Sequence, residues 1–476
     1  MMTPTYDALT HEQAAQLGQL LDVYPEAREL GRLFTRAGHE LYLVGGCVRD
    51  TLLSGKAQPD LDFATSARPE ETRRILVPWA NHVWDIGARF GTISAERRGR
   101  RIEITTYRSD VYPPGSRHPH VTFGEDIEID LSRRDFTINA MAVKIPDFHF
   151  HDPFRGLRDL RMKTLRTPAD PLASFQDDPL RMFRLARFAA TLEAEVEPET
   201  EAAAARLSEQ ILTVSVERVR DELSKLLLGP APAKGVDLLV RTNLAHHVLP
   251  EVARLPACVD PQHRHKDVYR HTLAVVENCR ADLVLRLAAL LHDIGKPGTR
   301  RIHPDGTVTF HLHEVTGAHL TEARLRALRY DRQTVADVTE LVRLHLRFHT
   351  YRMGWTDSAV RRYVRDAGDL LEPLNQLTRA DVTTANRRKA ERIARRMDEL
   401  EERITELRKQ EELERLRPPI DGNQIMQHLG IGEGPLVGEA RRHLLELRIE
   451  RGPMNDEEAY AALDEWWSAR GADQRG

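Results

Sequence analysis

The stretch of sequence that decides the fold runs from Leu41 to Asp50 and reads LYLVGGCVRD. Its first four residues predict a short buried strand, and the residues after Gly46 predict a helix. The paired glycines carry no Cβ, so backbone N–H groups can approach a phosphate, and the start of the helix adds a favourable dipole. Gly45 and Gly46 are therefore candidate nucleotide-binding residues. The alternative is an ordinary turn between a strand and a helix.

Two aspartates follow on the next predicted strand, in the segment Pro59-Asp60-Leu61-Asp62-Phe63. Residues two apart on a strand project from the same face, and two carboxylates held side by side repel unless a cation lies between them. Divalent ions bridging such a pair to a nucleoside triphosphate are the arrangement that phosphoryl-type transfer uses. Asp60 and Asp62 are thus the predicted catalytic residues, the alternative being two solvated aspartates at a strand edge.

Two further segments offer groups to the same site. In residues 101–105, RIEIT, both isoleucines point to one face of a strand, which leaves Glu103 to face either the metals or solvent. Residues 133–140, RRDFTINA, offer two guanidinium groups that can bind phosphates through paired hydrogen bonds, and an asparagine that can reach a ribose hydroxyl. We take Arg134, Asp135 and Asn139 as nucleotide-binding candidates, although arginine pairs are also common on protein surfaces.

The segment 177–190 predicts a helix that is capped at its start by Asp178 and carries Arg181, Arg184 and Arg187 opposite an apolar stripe. Cytosine and adenine both present an amino donor beside a ring-nitrogen acceptor, and a carboxylate paired with a guanidinium matches that pattern. An Asp178/Arg181 pair would accept C and A and would reject G and U. The alternative is a capped helix with a solvated arginine face.

In their order and spacing, GGCVRD, PDLDF and RRDFTINA resemble the motifs of the class II tRNA nucleotidyltransferases. These are the CCA-adding enzymes of the polymerase-β superfamily, with the bacterial poly(A) polymerases as close relatives. The resemblance includes Ser116-Arg117-His118-Pro119 and residues 177–189, and it covers residues 40 to 260 most strongly. In the family a glutamate usually stands where this chain has Asp177, which keeps the charge but shortens the reach.

This resemblance assigns roles to individual residues. It implies that Asp60 and Asp62 bind Mg²⁺, and that Gly46 and Arg49 contact the incoming nucleotide. It also implies that residues of the RRDFTINA segment, Arg134 and Asn139, hold the phosphates and the ribose. Binding of tRNA is expected from the resemblance alone.

A second ligand set is implied by a resemblance to the HD phosphohydrolases. Residues 287–297, LAALLHDIGKP, end a predicted apolar helix, and Val268–Thr272 precede another. The resemblance implies four metal ligands: His271, His292, Asp293 and Asp381. Two more histidines, His313 and His345, either complete a second metal position or are simply packed or solvated. Such ligands suit several divalent transition metals, and the domain either hydrolyses phosphate esters or serves as a tRNA-binding scaffold.

The composition excludes several other classes of protein. The 476 residues are 41% hydrophobic and 30% charged, which is globular and long enough for about three domains. A net charge of −4 gives no global positive field, so any RNA-binding surface must be local. We expect a cytoplasmic protein in a reducing compartment and no membrane span, because the sequence has no long apolar run, no leader-like N-terminus and only three scattered cysteines.

The predicted fold is α+β, with a small mixed-sheet nucleotidyltransferase head followed by an all-helical neck, an HD body and a coiled-coil tail. Residues 10–38 predict one helix, and apolar residues of 386–416 repeat at coiled-coil spacing up to Glu411. The expected domains are an N-terminal helical segment (1–38), the head (39–166), the neck with its nucleotide-reading helix (167–262), the HD domain (263–385) and the coiled-coil and helical tail (386–476).

The sequence therefore predicts a template-independent nucleotidyltransferase that uses CTP and ATP to add CCA to tRNA 3′ ends. Mg²⁺ is expected at the head and a divalent transition metal at the HD site. The alternatives are a poly(A) polymerase, an enzyme that adds only CC or only A, and an HD phosphohydrolase whose head merely binds RNA. A non-catalytic RNA scaffold is a fourth, against which the two complete ligand sets argue.

Overall fold

The computed structural model describes residues 9–55, 61–85, 91–111, 120–124, 126–258, 267–350, 356–383, 387–411 and 420–473. The chain divides into two compact units, Met1–Ala253 and Arg254–Gly476. Among the described residues, no helix is both long enough and apolar enough to cross a membrane.

A mixed β-sheet organises the first unit. The strands of this unit are β1 (Leu41–Val44), β2 (Leu61–Thr65), β3 (His82–Trp84), β4 (Thr92–Arg97), β5 (Arg100–Thr106), β6 (Arg108–Val111), β7 (His120–Phe123), β8 (Ala142–Ile145), β9 (His149–His151), β10 (Thr164–Leu165) and β11 (Glu195–Val196). Seven of them form one sheet in the order β3-β4-β5-β2-β1-β8-β9. Only β2 and β5 run parallel within it, while β6–β7 and β10–β11 form separate pairs.

Alternation along the strands gives this sheet one buried face and one polar face. Leu61, Phe63, Ile102 and Ile104 are almost completely buried. The residues between them on β2 and β5, which include Asp62, point the other way. The sheet therefore presents Asp62 and Glu103 on its polar face, and the prediction of a small mixed sheet is confirmed.

Helices surround and extend the sheet in the first unit. They are α1 (His11–Val23), α2 (Pro25–Arg36), α3 (Gly46–Ser54), α4 (Pro69–Leu76), α5 (Ile127–Ser132), α6 (Gly156–Arg161), α7 (Pro171–Asp177), α8 (Leu180–Thr191), α9 (Pro198–Leu207), α10 (Val216–Leu227), α11 (Pro232–Arg241), α12 (Leu244–Val248) and α13 (Pro250–Ala253). The prediction of one helix over residues 10–38 is wrong. Pro25 lacks a backbone N–H and forces Tyr24 out of the helical region, to φ −120° and ψ 73°, so the chain makes two helices.

Within its described residues, the second unit has one hairpin, β12 (Arg300–Ile302) and β13 (Val308–Phe310), and its other regular elements are helices. Its helices are α14 (Val268–Asn278), α15 (Leu283–Leu291), α16 (Lys296–Thr299), α17 (His313–Ala327), α18 (Arg332–Leu344), α19 (Asp357–Ala367), α20 (Leu371–Ala380), α21 (Arg387–Glu411), α22 (Gly422–Leu429), α23 (Pro435–Arg451) and α24 (Asp456–Asp473). The predicted change from a mixed sheet to helices along the chain is confirmed.

The long helix α21 carries the apolar repeat predicted for residues 386–416. Met397, Leu400 and Leu407 of this repeat are fully buried. The helix packs against α19 and α20 of the same unit, and Arg403 pairs with Asp357 of α19. The apolar residues of α21 therefore pack against helices of its own unit.

Candidate functional site

The turn between β1 and α3 brings the two glycines against the arginine pair. Gly45 has φ +76° and ψ −134°, a conformation that favours glycine, and α3 begins at Gly46. A Cβ added at Gly45 would lie 3.0 Å from Nη1 of Arg134. The missing side chain thus leaves room for a guanidinium at the start of a helix, where an anion is favoured.

Two carboxylates lie side by side on the polar face of the sheet. Asp62 of β2 and Glu103 of β5 are register partners in the parallel pair. Asp62 is exposed, and Glu103 is half-buried and pairs with Arg101, its Oε1 lying 2.9 Å from Nη2. An all-oxygen donor set of this kind fits a hard divalent cation. The other predicted carboxylate, Asp60, lies outside the described residues.

The arginine pair is held by a buried carboxylate that the sequence analysis missed. Asp130 is completely buried. Its Oδ1 accepts a hydrogen bond from Nε of Arg133 at 3.0 Å, and its Oδ2 accepts one from Nη2 of Arg134 at 3.2 Å. Burial alone would raise the pKa of Asp130, but the two guanidinium groups outweigh it and lower that pKa. One charged side chain therefore orients both phosphate-binding candidates.

Four of the nucleotide-binding candidates form one hydrogen-bonded chain. Arg49 donates to Oδ1 of Asn139, and Nδ2 of Asn139 donates to Oδ1 of Asp135 at 2.9 Å. Arg184 of α8 pairs with Oδ2 of Asp135. Burial works against the charge of Asp135, yet Arg184 and the hydrogen bond from Asn139 leave its pKa lowered. These side-chain contacts link α3, which follows the glycine turn, to α8.

The predicted base-reading pair lies at the junction of α7 and α8, with separate side-chain partners. Nη1 of Arg181 donates to Oγ of Ser174 at 2.8 Å, and Nη2 donates to the carbonyl oxygen of Arg133. Oδ2 of Asp178 lies 3.3 Å from Nη2 of Arg218 on α10. Arg181 is thus anchored on the backbone of Arg133.

The expectation that Asp178 is the N-cap of this helix is wrong by one residue, because Pro179 occupies that position; Oδ1 of Asp178 still accepts a hydrogen bond from the backbone N–H of Leu180, the first residue of α8, at 3.2 Å. Its neighbour Asp177 is the last residue of α7. The third arginine of the helix, Arg187, pairs with Glu222 of α10 and stacks on Phe188, 3.9 Å from the ring centre. Arg187 is therefore engaged in joining α8 to α10.

Histidines and aspartates from five helices meet inside the second unit. The cluster consists of His271 in α14, His292 and Asp293 at the end of α15, His313 at the start of α17, His345 at the end of α18 and Asp381 at the end of α20. The expectation that His271 precedes a helix is wrong. It lies within α14, which begins at Val268 after an Asp267 cap.

The imidazoles of this cluster face one another across short distances. Nε2 of His271 lies 2.8 Å from Oδ1 of Asp381, and Nε2 of His292 lies 3.2 Å from Oδ2 of Asp293. Nε2 of His313 lies 3.4 Å from Oδ1 of the same aspartate. The donor atoms form two triplets that share Asp293, one with His271 and His292 and the other with His313 and His345. Within each triplet, all the donor atoms lie within 4.8 Å of one another.

The other ring nitrogen, Nδ1, of each histidine lies within hydrogen-bond distance of an oxygen atom. Nδ1 of His292, His313 and His345 lies 2.6 to 2.8 Å from the carbonyl oxygen three residues earlier in the chain. Nδ1 of His271 lies 2.7 Å from Oγ1 of Thr383. Protons on the three Nδ1 atoms that face carbonyls leave the Nε2 lone pairs directed at the cluster, the arrangement that metal-binding histidines use.

Within this cluster, His345 gives the clearest indication of a metal site. It is buried, and its Nε2 has no hydrogen-bond partner among the residues that the structure describes. Burial and the neighbouring His292 lower the pKa of His345 to about 3. A buried, neutral imidazole with an unused lone pair fits a transition-metal ligand.

Family models match three parts of the chain. Residues 41–166 match the poly A polymerase head domain, and residues 195–255 match the probable RNA and SrmB-binding site of polymerase A. Residues 268–403 match the HD domain. The sheet with its carboxylates and the histidine cluster thus fall in separate family segments.

Two curated relatives are informative. The A-adding tRNA nucleotidyltransferase of Deinococcus radiodurans is 33% identical over 438 residues, which cover 89% of this chain and 95% of that protein. The CCA-adding enzyme of Levilactobacillus brevis is 41% identical over 230 residues, 48% of this chain and 56% of the relative. The chain therefore matches the first relative over nearly its whole length, and the second over about half.

Solved structures with the same architecture include the CCA-adding enzyme of Bacillus stearothermophilus in complex with CTP. Its TM-score is 0.63 at 25% identity, and the match covers 94% of this chain and 99% of that one. The CCA-adding enzyme of Thermotoga maritima complexed with tRNA has the same fold, with a TM-score of 0.60 at 19% identity and coverage of 94% and 98%.

Proposed function

Because the chain belongs to the tRNA nucleotidyltransferase family, we propose that it adds the CCA sequence to tRNA 3′ ends, using CTP and ATP and releasing pyrophosphate. The observation that carries this proposal is that β1, which ends at the glycine turn, pairs antiparallel with β2, so that its end lies beside the start of β2, which carries Asp62. The Asp62/Glu103 pair provides a place for divalent cations, and the glycine turn with the Asp130-bound arginines provides a place for a triphosphate. Dependence on a divalent metal follows from the family.

The carboxylates Asp62 and Glu103 would hold Mg²⁺, together with Asp60 as the sequence predicts. When bound, Mg²⁺ activates the RNA 3′-hydroxyl and neutralises the charge that develops on the leaving pyrophosphate. Arg133 and Arg134 bind the triphosphate, because Asp130 holds their guanidinium groups in place before the nucleotide arrives. Prior orientation of this kind lowers the entropic cost of reaching a reactive geometry.

Selection of C and A falls to the junction of α7 and α8. Arg181 is held by Ser174 and by the carbonyl oxygen of Arg133, so its position relative to the triphosphate site is defined. When Asp178 accepts a hydrogen bond from the amino group of the base, it either gives up its contact with Arg218 or keeps both contacts. The Asn139–Asp135 hydrogen bond lies beside the same helix and presents the ribose-binding groups.

A second candidate function is addition of the terminal A alone. The relative that this chain matches over 95% of its length is an A-adding enzyme. The two functions differ in whether CTP is used at all. They are separated by incubating the protein with tRNA transcripts that end before C, after the first C or after both, with CTP and ATP supplied singly and together.

Under the leading proposal, all three transcripts are extended to the full CCA end and CTP is consumed. Extension only of the transcript that ends in CC, and only by ATP, would assign A addition instead. Extension by ATP into a long tail on all three would assign poly(A) synthesis. Failure to extend any transcript in the presence of Mg²⁺ would contradict the whole proposal.

We also propose that the second unit is a metal-dependent phosphohydrolase. Its cluster offers imidazole and carboxylate ligands for a divalent transition metal, and Nζ of Lys296 lies 2.6 Å from Oδ2 of Asp293, beside the place where a phosphate would bind. The test measures metal content after incubation with Mn²⁺, Co²⁺ or Ni²⁺, together with hydrolysis of phosphomonoesters and 2′,3′-cyclic phosphates. A protein that retains no metal and hydrolyses neither substrate has a scaffold in this unit.

The protein is proposed to act in the cytoplasm. The three cysteines, Cys47, Cys258 and Cys279, are free and buried, which supports a reducing compartment.

A further inference from the structure

The face of the sheet that carries the carboxylates continues past them to the sheet edge. Asp62 on β2 is paired with Glu103 on β5, and Glu103 is paired with Ser94 on β4. Ser94 is in turn paired with Trp84 on β3. Residues paired across strands share one face of a sheet, so Trp84 projects from the same face as Asp62, three strands away.

A second aromatic residue lies beside Trp84. Next to the paired residues just described, a second row on the same face consists of Arg101 on β5, Glu96 on β4 and His82 on β3, each paired with the next. His82 is exposed. The rings of His82 and Trp84 are 6.1 Å apart at their centres and inclined by 32°. Their strand, β3, is an edge strand of the sheet. We call this pair of rings the His82/Trp84 platform.

The platform differs from the other tryptophan of this region. Trp79 is buried, its indole N–H donates to Glu29, and Arg97 stacks on its ring. Those contacts identify Trp79 as a core residue. Trp84 is only half-buried on the polar face, beside an exposed imidazole. Aromatic side chains that share a face with catalytic groups are suited to stacking against a planar ligand.

We propose that the His82/Trp84 platform stacks against bases of the single-stranded 3′ end of the RNA substrate, upstream of the hydroxyl that is extended. The inference rests on the proposed function of the first unit. Strands in a sheet are about 4.8 Å apart, which puts the platform roughly 14 Å from Asp62. This distance corresponds to about four stacked nucleotides at 3.4 Å each, or to fewer nucleotides in an extended strand.

Stacking is the mode of binding that this reaction requires. The 3′ end changes its sequence with every nucleotide added, so a contact that read base edges would fit only one stage. Every base has a π-face, and stacking on an aromatic ring tolerates any sequence.

The experiment compares Trp84→Ala with Trp84→Phe in the full chain, using a tRNA acceptor-stem hairpin with a single-stranded 3′ end. Trp84→Ala should raise KM for the RNA about tenfold, which is roughly 1.4 kcal/mol, and should leave kcat and KM for CTP and ATP unchanged. Trp84→Phe keeps an aromatic face and should remain close to wild type. His149→Ala changes an exposed histidine on β9, at the opposite edge of the sheet, and should have no effect.

Hairpins with one abasic nucleotide in turn, at the second to fifth position from the 3′ end, identify the stacked base. For the wild type, KM should rise when the abasic nucleotide occupies the stacked position. For that hairpin, Trp84→Ala should raise KM no further. A rise in KM that is equal for all the abasic hairpins, or an unchanged KM for Trp84→Ala, would overturn the platform. Wild-type protein that extends no hairpin at all would instead contradict the proposed nucleotidyltransferase function.

Discussion

The two units of this protein neutralise buried carboxylates in opposite ways. In the first unit, Asp130 is buried against the guanidinium groups of Arg133 and Arg134, which have further donors to offer to an anion. In the second unit, Asp293 is buried among imidazoles whose free lone pairs can accept a cation. The partner of a buried carboxylate, rather than the carboxylate itself, therefore indicates which ligand we propose: phosphate in the first unit and metal in the second.

The electrostatics of the two aspartates agree with this difference. Burial opposes the charge of both, and in both it is outweighed, so that the pKa of Asp130 is lowered and the pKa of Asp293 is held well below its usual range. Arginines cause the first shift, whereas His292 and Lys296 cause the second. Because an imidazole can be neutral at physiological pH, whereas a guanidinium group stays charged, only the second cluster can offer nitrogen lone pairs to a metal.

The largest expected effect is that of Asp62→Ala, which removes a proposed metal ligand of the first unit only. Nucleotide addition should fall at least about a hundredfold, because metal-ligand catalysis contributes several kcal/mol, while RNA binding stays within a fewfold. Glu96→Gln, on the same face one row away, is the matched control and should stay active. If Asp62→Ala kept more than a tenth of the wild-type turnover, the carboxylate site would be wrongly assigned.

The reciprocal change is the double variant His292→Ala/Asp293→Ala. It should lose bound transition metal and all phosphohydrolase activity, since it removes ligands from both triplets, and should keep nucleotide addition. Metal content after dialysis and the two activities are measured on the same preparation. His303→Ala changes an exposed histidine in the turn of the β12–β13 hairpin and should change none of them. Parallel loss of both activities in a folded double variant would show that the two sites are not independent.

A third change, Asp130→Asn, tests whether the buried carboxylate orients the arginines. Breaking a buried ion pair costs about 3–5 kcal/mol of stability, and KM for CTP and ATP should rise while KM for RNA does not. Asp130→Glu should restore part of the nucleotide affinity. Urea unfolding together with separate KM values distinguishes a positioning role from a loss of stability alone, which would leave KM unchanged in the folded fraction.

The pH dependence of stability follows from the same residue. A carboxyl whose pKa is lower in the folded than in the unfolded state stabilises the fold above its unfolded pKa of about 3.9 and loses that effect as the pH falls through the folded value. The pKa values of Asp130 and Asp135 are both lowered. Urea unfolding at pH 7 and below pH 4 should therefore show a smaller acid-induced loss of stability in Asp130→Asn than in the wild type.

The smallest effect is expected for Arg181→Ala, which concerns base choice. One bidentate base contact provides about 1–3 kcal/mol of discrimination, so the preference for CTP over UTP should fall by that amount. Arg206→Ala, on the exposed face of α9, is a control for loss of charge alone. An unchanged CTP/UTP ratio in Arg181→Ala, with a lowered Tm, would leave Arg181 as a structural contact of Ser174 and the carbonyl of Arg133.

Local features of the molecule were open to prediction from the sequence. The strand, glycine turn and helix at Leu41–Ser54 follow from residues adjacent in the chain, and the alternation of Asp62 and Glu103 with buried residues follows from the period of two in a strand. The break at Pro25 was equally readable, since it depends on one proline ring. The two arginines three and four residues after Asp130 also lie at the spacing of side-chain pairs on a helix.

The partners of the functional groups were decided by tertiary structure. Arg181 meets the carbonyl oxygen of Arg133, 48 residues away, and His271 meets Thr383, 112 residues away. No local pattern encodes such pairs, because they depend on how complete helices pack and which buried polar groups remain to be satisfied.

By itself, then, the sequence determined which chemical groups the protein possesses and the secondary structure that carries them, because helix and strand periods and glycine turns are properties of neighbouring residues. Only the tertiary structure decided that Arg181 meets the carbonyl oxygen of Arg133, that the Nε2 lone pairs converge on Asp293, and that Trp84 shares a face with Asp62. The physical reason is that a side chain's partner is set by packing across the whole core, where distant segments compete for the same space.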